Sequence, residues 1–295
     1  MRKLRELLSR RVEPPPAPAT LFPAGHFYSP VVDVAEVRAQ ERRIWPDRPS
    51  VRGIDFNDAY HERVLKEYFP AFHLDFAYPA KASDNPLQFY VDNDQFGWLD
   101  CRALFVLLRA WRPKRFVEVG SGFSTLLVAD VNKRFLGGTL RIECIEPYPR
   151  AELRSPELRL EQLIARKVQD VEPAFFDRLE SGDVLFIDSS HVAKTGSDVN
   201  HLCFEVLPAL RPGVRIHFHD IFLPADYPKP WVIDENRSWN EQYVVQALLM
   251  FSRGFRVLFG SAYAFAAHRE ALRQALDAPD GACYGGGSLW IEKTA

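Results

Sequence analysis

Phe116-Val117-Glu118-Val119-Gly120-Ser121-Gly122-Phe123-Ser124-Thr125 is a short apolar run that ends in a glycine turn and passes into a helical pattern. A run of this length closed by turn residues reads as a buried strand. Glycines 120 and 122 let the backbone turn tightly and approach a ligand closely, and Ser124 reads as the N-cap of the next helix. The same rhythm recurs downstream. Arg141–Ile145 leads into Glu146-Pro147, Val184–Ile187 into Asp188, and 214–219 into Asp220. Helix-compatible stretches lie between and after them, near 124–135, 151–163, 197–210 and 240–252. Ser238 and Glu241 read as a capping box that starts the last of these. Late strands near 255–259 and 289–292 complete the pattern. Alternation of this kind predicts βαβ units, right-handed crossovers and a mostly parallel sheet flanked by helices, an α/β fold.

Upstream, the character differs. The chain has 295 residues, long enough for one large α/β domain with an extension. Its basic start, Met1 to Arg11, is followed by no apolar segment and is no secretory signal. The run Pro14-Pro15-Pro16-Ala17-Pro18 reads as an extended spacer. The expected plan is a basic tail and Pro-rich linker over 1–20, and a helical and irregular cap over 21–95 with helices near 34–44 and 58–68. The cofactor domain then runs over 96–295 and opens with a helix over 97–111. Hydrophobic residues at 47% and charged residues at 26% are ordinary for a globular chain. A formal net charge of −2 gives no reason to expect nucleic acid or an anionic membrane as partner. Cys101, Cys144, Cys203 and Cys283 include no CxxC pair, so neither a zinc site nor a disulfide framework is read, and a reducing cytoplasm is the expected location. No stretch approaches the roughly 20 apolar residues of a membrane span.

The glycine turn departs from a dinucleotide fingerprint, because Thr125 stands where the third glycine of GxGxxG belongs. Glu118, two residues before the first glycine, would repel a pyrophosphate and suit a cationic ligand. Glu146 ends the next strand, where a carboxylate can accept from both hydroxyls of a ribose. S-adenosylmethionine, with a sulfonium, an ammonium and no phosphate, answers both acids. VEVGSGFST followed by IEPYP resembles the first two motifs of the class I S-adenosylmethionine-dependent methyltransferases. DSSHVAKTGSD and HFHD are similar to one branch of that class, with Asp-x-x-His at the exit of the fourth strand and His-Asp at that of the fifth. The likeness covers about 95–260. It implies a Rossmann-like, seven-stranded, mostly parallel sheet, with an irregular N-terminal extension left outside it. It also implies that Glu118, Gly120 and Gly122 surround the methionine moiety, with Ser121, Ser124 and Asp188 counted to the same cofactor site. Glu146 would hold the ribose, and Asp170 would contact the adenine.

Asp188 and Asp220 each close a predicted strand. Neighbouring strands lie about 4.8 Å apart, so the two carboxylates can converge on one cation such as Mg²⁺. Such an ion would lower the pKa of a bound hydroxyl. His191 and His219 are then candidates for metal ligand or general base. The plainer role of a strand-end aspartate is to cap the next helix. His217 reads as a satisfied buried histidine, His201 as structural or surface, and Asp198 as a helix-start carboxylate. The loop after Asp220 is long enough to serve as a lid and would bring Tyr227, Trp231 and Trp239 to the cofactor mouth. The expected activity is O-methylation of a small-molecule acceptor, a sugar or a phenolic natural product. The alternatives are a hydroxylase-like enzyme on the same fold, or a non-catalytic binding or scaffold protein. A homodimer is compatible with the sequence.

Overall fold

The computed structural model describes residues 21–277 and 285–295, so the expected tail and linker over 1–20, and Cys283, lie outside the described residues. Seven strands form one sheet in the order β3-β2-β1-β4-β5-β7-β6. They are β1 (Arg115–Val119), β2 (Arg141–Ile145), β3 (Gln162–Ile164), β4 (Val184–Ile187), β5 (Arg215–Phe218), β6 (Phe255–Gly260) and β7 (Leu289–Lys293). The first five pair in parallel. β7 runs antiparallel between β5 and β6. This is the expected Rossmann-like sheet.

The pleat sorts the side chains into two layers. Phe116, Ile142, Cys144, Val184, Phe186 and Trp290 face α1 (Trp98–Trp111) and α2 (Phe123–Phe135). Val117, Val119, Leu185, Ile187, Ile216 and Phe218 face the opposite layer. That layer holds α3, which runs Asp198–His201, Leu202–Val206 and Leu207–Ala209 with a π-turn in the middle. It also holds α4 (Glu241–Phe251). From the N-terminal region, Val64, Leu65 and Phe69 enter the α1–α2 layer. They lie on the continuous helical stretch Asp58–Arg63, Val64–Tyr68 and Phe69–Phe72. The helix expected over 34–44 divides into Val34–Ala39 and Glu41–Ile44.

Three local expectations are corrected. The segment 151–163 is two short 3₁₀ turns, Ala151–Arg154 and Pro156–Leu158, followed by strand β3. Pro156 has no N–H with which to continue a helix through this point. Ser124 is not the cap of α2, which starts at Phe123 behind Gly122. The Ser238–Glu241 capping box does not form, because α4 starts at Glu241 with Asn240 before it and no side-chain cap. The Ser238 hydroxyl instead accepts the Val32 N–H at 3.3 Å, and the Glu241 carboxylate turns inward.

β1 is flanked by β2 on one side and β4 on the other, so the strand order reverses there. In an open α/β sheet the ligand crevice lies beyond the carboxyl ends at such a point.

Candidate functional site

The turn after β1 is held from both sides. The Gly120 N–H donates to the Ile145 carbonyl at 3.0 Å, and the Asp188 N–H donates to the Val119 carbonyl at 2.8 Å. Gly120 has φ +83°, and a Cβ built there would lie 1.7 Å from the Asp188 carbonyl oxygen. Only glycine fits this approach. Gly122 is different: a Cβ there meets nothing within 4 Å.

Glu118 lies beneath this turn, with its side chain fully buried. Ser124 Oγ donates to its Oε1 at 2.5 Å and Thr125 Oγ1 donates to its Oε2. The Cys144 thiol approaches Oε2 at 3.6 Å. Thr125, in the place of the missing third glycine, also accepts the Gly122 N–H at 3.1 Å. Glu118 therefore ties strand, turn and helix together from under the cleft floor. Burial pushes its carboxyl up to about 7, against the donors Ser124 and Thr125. A folded-state pKa above the unfolded value makes stability fall as pH rises through the interval between them. The melting temperature of the wild type is expected to fall between pH 4.5 and 7 relative to Glu118→Gln, and to run level with it above that window. Parallel curves across the window would contradict this.

Above the turn lies a cleft in two lobes that meet at Gly120, Glu146 and Asp188. The larger, ≈ 390 Å³, extends past Pro147 to Lys167, Val168 and Gln169, and past Ser190 to Asp198. The smaller, ≈ 160 Å³, is walled by Gln95, Phe96, Ser121, Gly122, Ser124 and Arg150. Glu146 accepts the Ser121 N–H at 3.2 Å and the Tyr148 N–H at 2.8 Å, which fixes the carboxylate at the junction with lone pairs to spare. Asp170 is exposed and lines an adjoining hollow with His201 and Glu205. Gln169, whose amide donates to the Gly196 carbonyl at 2.9 Å, stands between that hollow and the cleft.

Beyond the smaller lobe, Asp188 and Asp220 converge as expected, and two imidazoles bridge them. His191 Nε2 is 3.4 Å from Asp188 Oδ1 and 3.5 Å from Asp220 Oδ2. His219 Nδ1 is 3.4 Å from Asp188 Oδ1 and 3.6 Å from Asp220 Oδ1. His191 and Asp220 both sit in the left-handed region, at φ +60° and +57°, backbone strain of the kind that collects at functional sites. Among the described residues, no three or more His, Cys, Asp or Glu side chains are grouped to hold a metal ion.

Two further carboxylates complete the cluster. Glu241 Oε2 is 2.9 Å from His191 Nδ1, and Asp100 Oδ2 is 3.7 Å from His219 Nε2. Burial opposes charge on both histidines, and the carboxylates overcome it. His191 is raised to about 10 by Asp188 and Glu241, and His219 well above its usual range by Asp220, Asp188 and Asp100. Burial likewise opposes ionisation of Asp188, yet His219 and His191 hold it well below the ordinary aspartate value. For Asp220 burial wins, and its carboxyl is raised. The surrounding carboxylates thus favour the charged form of both imidazoles, and of the two central aspartates it is Asp220 that burial makes the more basic.

The other expected residues fall nearby. His217 shares the face of His219, is fully buried against Phe186 at 3.8 Å, and pairs Nε2 with Ser288 Oγ at 2.8 Å. Its Nδ1 has no hydrogen-bond partner among the described residues. Asp198 accepts from the Ser190 N–H at 2.8 Å and from the Ser190 hydroxyl at 2.5 Å, securing the β4 exit. Tyr227 is buried, and its hydroxyl accepts the Gln242 N–H at 2.9 Å. Trp239 covers His191 at 4.4 Å between ring centroids. The Arg237 guanidinium lies 4.2 Å from the Trp231 ring and 4.7 Å from that of Trp239.

Residues 117–221 match a family model described as a methyltransferase domain. An uncharacterised protein of Archaeoglobus fulgidus is 40% identical over 168 residues, covering 54% of this chain and 74% of its own length. Among solved structures, the O-methyltransferase TomG of Streptomyces achromogenes, involved in tomaymycin synthesis and solved with S-adenosylmethionine, aligns at 17% identity and TM-score 0.42 over 82% of this chain and 92% of its own. An O-methyltransferase of Bacillus cereus aligns at 15% identity and TM-score 0.39 over 81% and 92%. Likeness at that level says nothing of the chemistry of this chain.

Proposed function

We propose that this chain, which belongs to the class I S-adenosylmethionine-dependent methyltransferase family, methylates a hydroxyl oxygen of a small molecule. The observation that carries the oxygen reading is the Asp188–Asp220 pair bridged by His191 and His219. A hydroxyl must shed its proton as it attacks, whereas an amine attacks through a free lone pair, so an acid–base cluster at the cleft mouth suits oxygen.

When bound, S-adenosylmethionine supplies an electrophilic methyl group on a sulfonium. In this reading Glu146 accepts from the ribose hydroxyls. Arg150, whose guanidinium donates to Gln95 at 2.7 Å, meets the methionine carboxylate in the smaller lobe. The acceptor hydroxyl lies between Asp188 and Asp220. When the acceptor oxygen takes the methyl group, Asp220 would accept the proton that the hydroxyl gives up. The carboxylates around His191 and His219 favour the charged imidazolium, in which form the two rings would hold Asp188 and Asp220 in place and offset their charge.

The test is transfer of labelled methyl from S-adenosylmethionine to a panel of phenols and sugars, with a chelator present. Methyl ether formation is the expected outcome. Label only on amines would move the reading away from oxygen, and transfer that needs added Mg²⁺ would return Asp188 and Asp220 to the role of metal ligands.

A further inference from the structure

The reaction cluster has two members that β4 and β5 do not supply. Asp100 lies in the first turn of α1, and Glu241 opens α4. Both side chains are buried, with residue exposures of 5% and 1%. We propose that Glu241 and Asp100 are positioning residues: Glu241 hydrogen-bonds the outer nitrogen of His191, and Asp100 faces the outer nitrogen of His219 across 3.7 Å as its charge partner, so that each inner nitrogen faces Asp188 and Asp220 together. The inference rests on the acid–base role given to that cluster.

The two imidazoles are placed as opposites. His191 turns Nδ1 outward to Glu241 and Nε2 inward, while His219 turns Nε2 outward to Asp100 and Nδ1 inward. Each backing carboxylate is itself anchored. Ser189 Oγ donates to Glu241 Oε1 at 3.2 Å. The Gly287 and Ser288 N–H groups donate to the two oxygens of Asp100 at 2.9 and 3.0 Å. The chain reaches Asp100 this closely because residue 286 is glycine, where a Cβ would collide with the Asp100 carboxylate; at Gly287 a Cβ would lie 2.9 Å from Asp220 Cα. The rings have little room to turn. Trp239 packs on His191, and Phe96 lies 5.3 Å from His219 between centroids. The His191 carbonyl also accepts the N–H groups of Asn240 and Glu241, at 3.1 and 3.2 Å, so α4 is docked on this residue by its start.

Stability alone does not account for this use of Glu241. An acid in the first turn of a helix is stabilising at the surface, near the exposed N–H groups. Here the helix has no side-chain cap, while its acid is buried, at a cost that only pairing offsets. A local rule broken with a specific inward partner marks a functional position. Asp100 shows the same pattern, a carboxylate within the otherwise apolar buried face of α1.

The experiment uses the full chain and two isosteric variants, Glu241→Gln and Asp100→Asn. By ¹H–¹⁵N spectroscopy of the imidazoles, Glu241→Gln is expected to remove the protected Nδ1–H signal of His191 and leave His219 unchanged. Asp100→Asn is expected to do the reverse. With the hydroxyl compound that the wild type methylates, each variant is expected to lower kcat about 10- to 100-fold, the range usual for residues that orient functional histidines. Acceptor KM and the Kd for S-adenosylmethionine should stay within about twofold. Glu241→Gln should cost nothing further in a His191→Gln background, because it acts through that ring. Unchanged imidazole signals, or a raised KM at unchanged kcat, would overturn the proposal. If Glu241→Gln does not fold, Glu241→Asp, which keeps the charge and withdraws it by one methylene, must shift the same His191 signal, and an unshifted signal refutes positioning. A wild type that transfers no methyl would defeat the proposed activity, while the imidazole signals would still decide the positioning.

Discussion

Gly120→Ala is expected to abolish binding of S-adenosylmethionine and to lower stability by about 3 kcal/mol or more, which for a chain of this size is a fall of roughly 5 °C or more in melting temperature. Two costs combine. A non-glycine residue held at φ +83° is strained by about 1–3 kcal/mol, and the added methyl would lie 1.7 Å from the Asp188 carbonyl oxygen. The collision can be relieved only by parting β1 from β4, and that opens the crevice and displaces Asp188 from the reaction cluster. Gly122→Ala is the control. Its Cβ faces open space, so the melting temperature should hold. If that space takes the methionine chain, affinity should drop on its own. A folded, cofactor-binding Gly120→Ala, as read by thermal melting and titration, would show the turn to be more pliable than its contacts imply.

Asp220→Asn is expected to lower kcat for methyl transfer by about 10²–10⁴, the usual contribution of a positioned proton acceptor. The change is nearly isosteric, and asparagine tolerates the left-handed φ of +57° found here, so backbone strain does not cloud the result. Affinity for S-adenosylmethionine should stay within a few-fold, because Asp220 lines neither lobe of the cleft. Steady-state kinetics with the identified acceptor, together with titration of the cofactor, separates the two quantities. A Kd that worsens as much as kcat falls would place Asp220 in cofactor binding instead.

The sheet was legible because its strands are short apolar runs that each end in a turn residue or an acid, and burial on both faces needs such runs. β3 escaped because Gln162-Leu163-Ile164 is three residues at the sheet edge, too short for a period to show. Its lead-in, rich in Glu, Leu and Arg, has helical propensity that Pro156 overrides. The acids at strand ends were readable one by one. Their partners were not. Glu241 stood at a capping-box position and Asp100 in a helix start, where acids are ordinary, and only the fold shows both turned inward to the histidines. The same holds for Glu118. Its place before the glycines suggested a ligand contact, while its buried position and its bonds to Ser124 and Thr125 make it the tie beneath the turn. Thr125 looked like a lapse from a dinucleotide fingerprint and is a hydrogen-bonding part of that turn.

The central claim is that the crevice between β1 and β4 binds S-adenosylmethionine with Glu146 on the ribose. Calorimetric titration of the full chain tests it directly, with wild type and Glu146→Ala side by side. The expected result is saturable binding by the wild type, weakened about a hundredfold or more in the variant, as the loss of two hydrogen bonds to a charged acceptor implies. No binding at millimolar cofactor, or equal binding by both proteins, would contradict it.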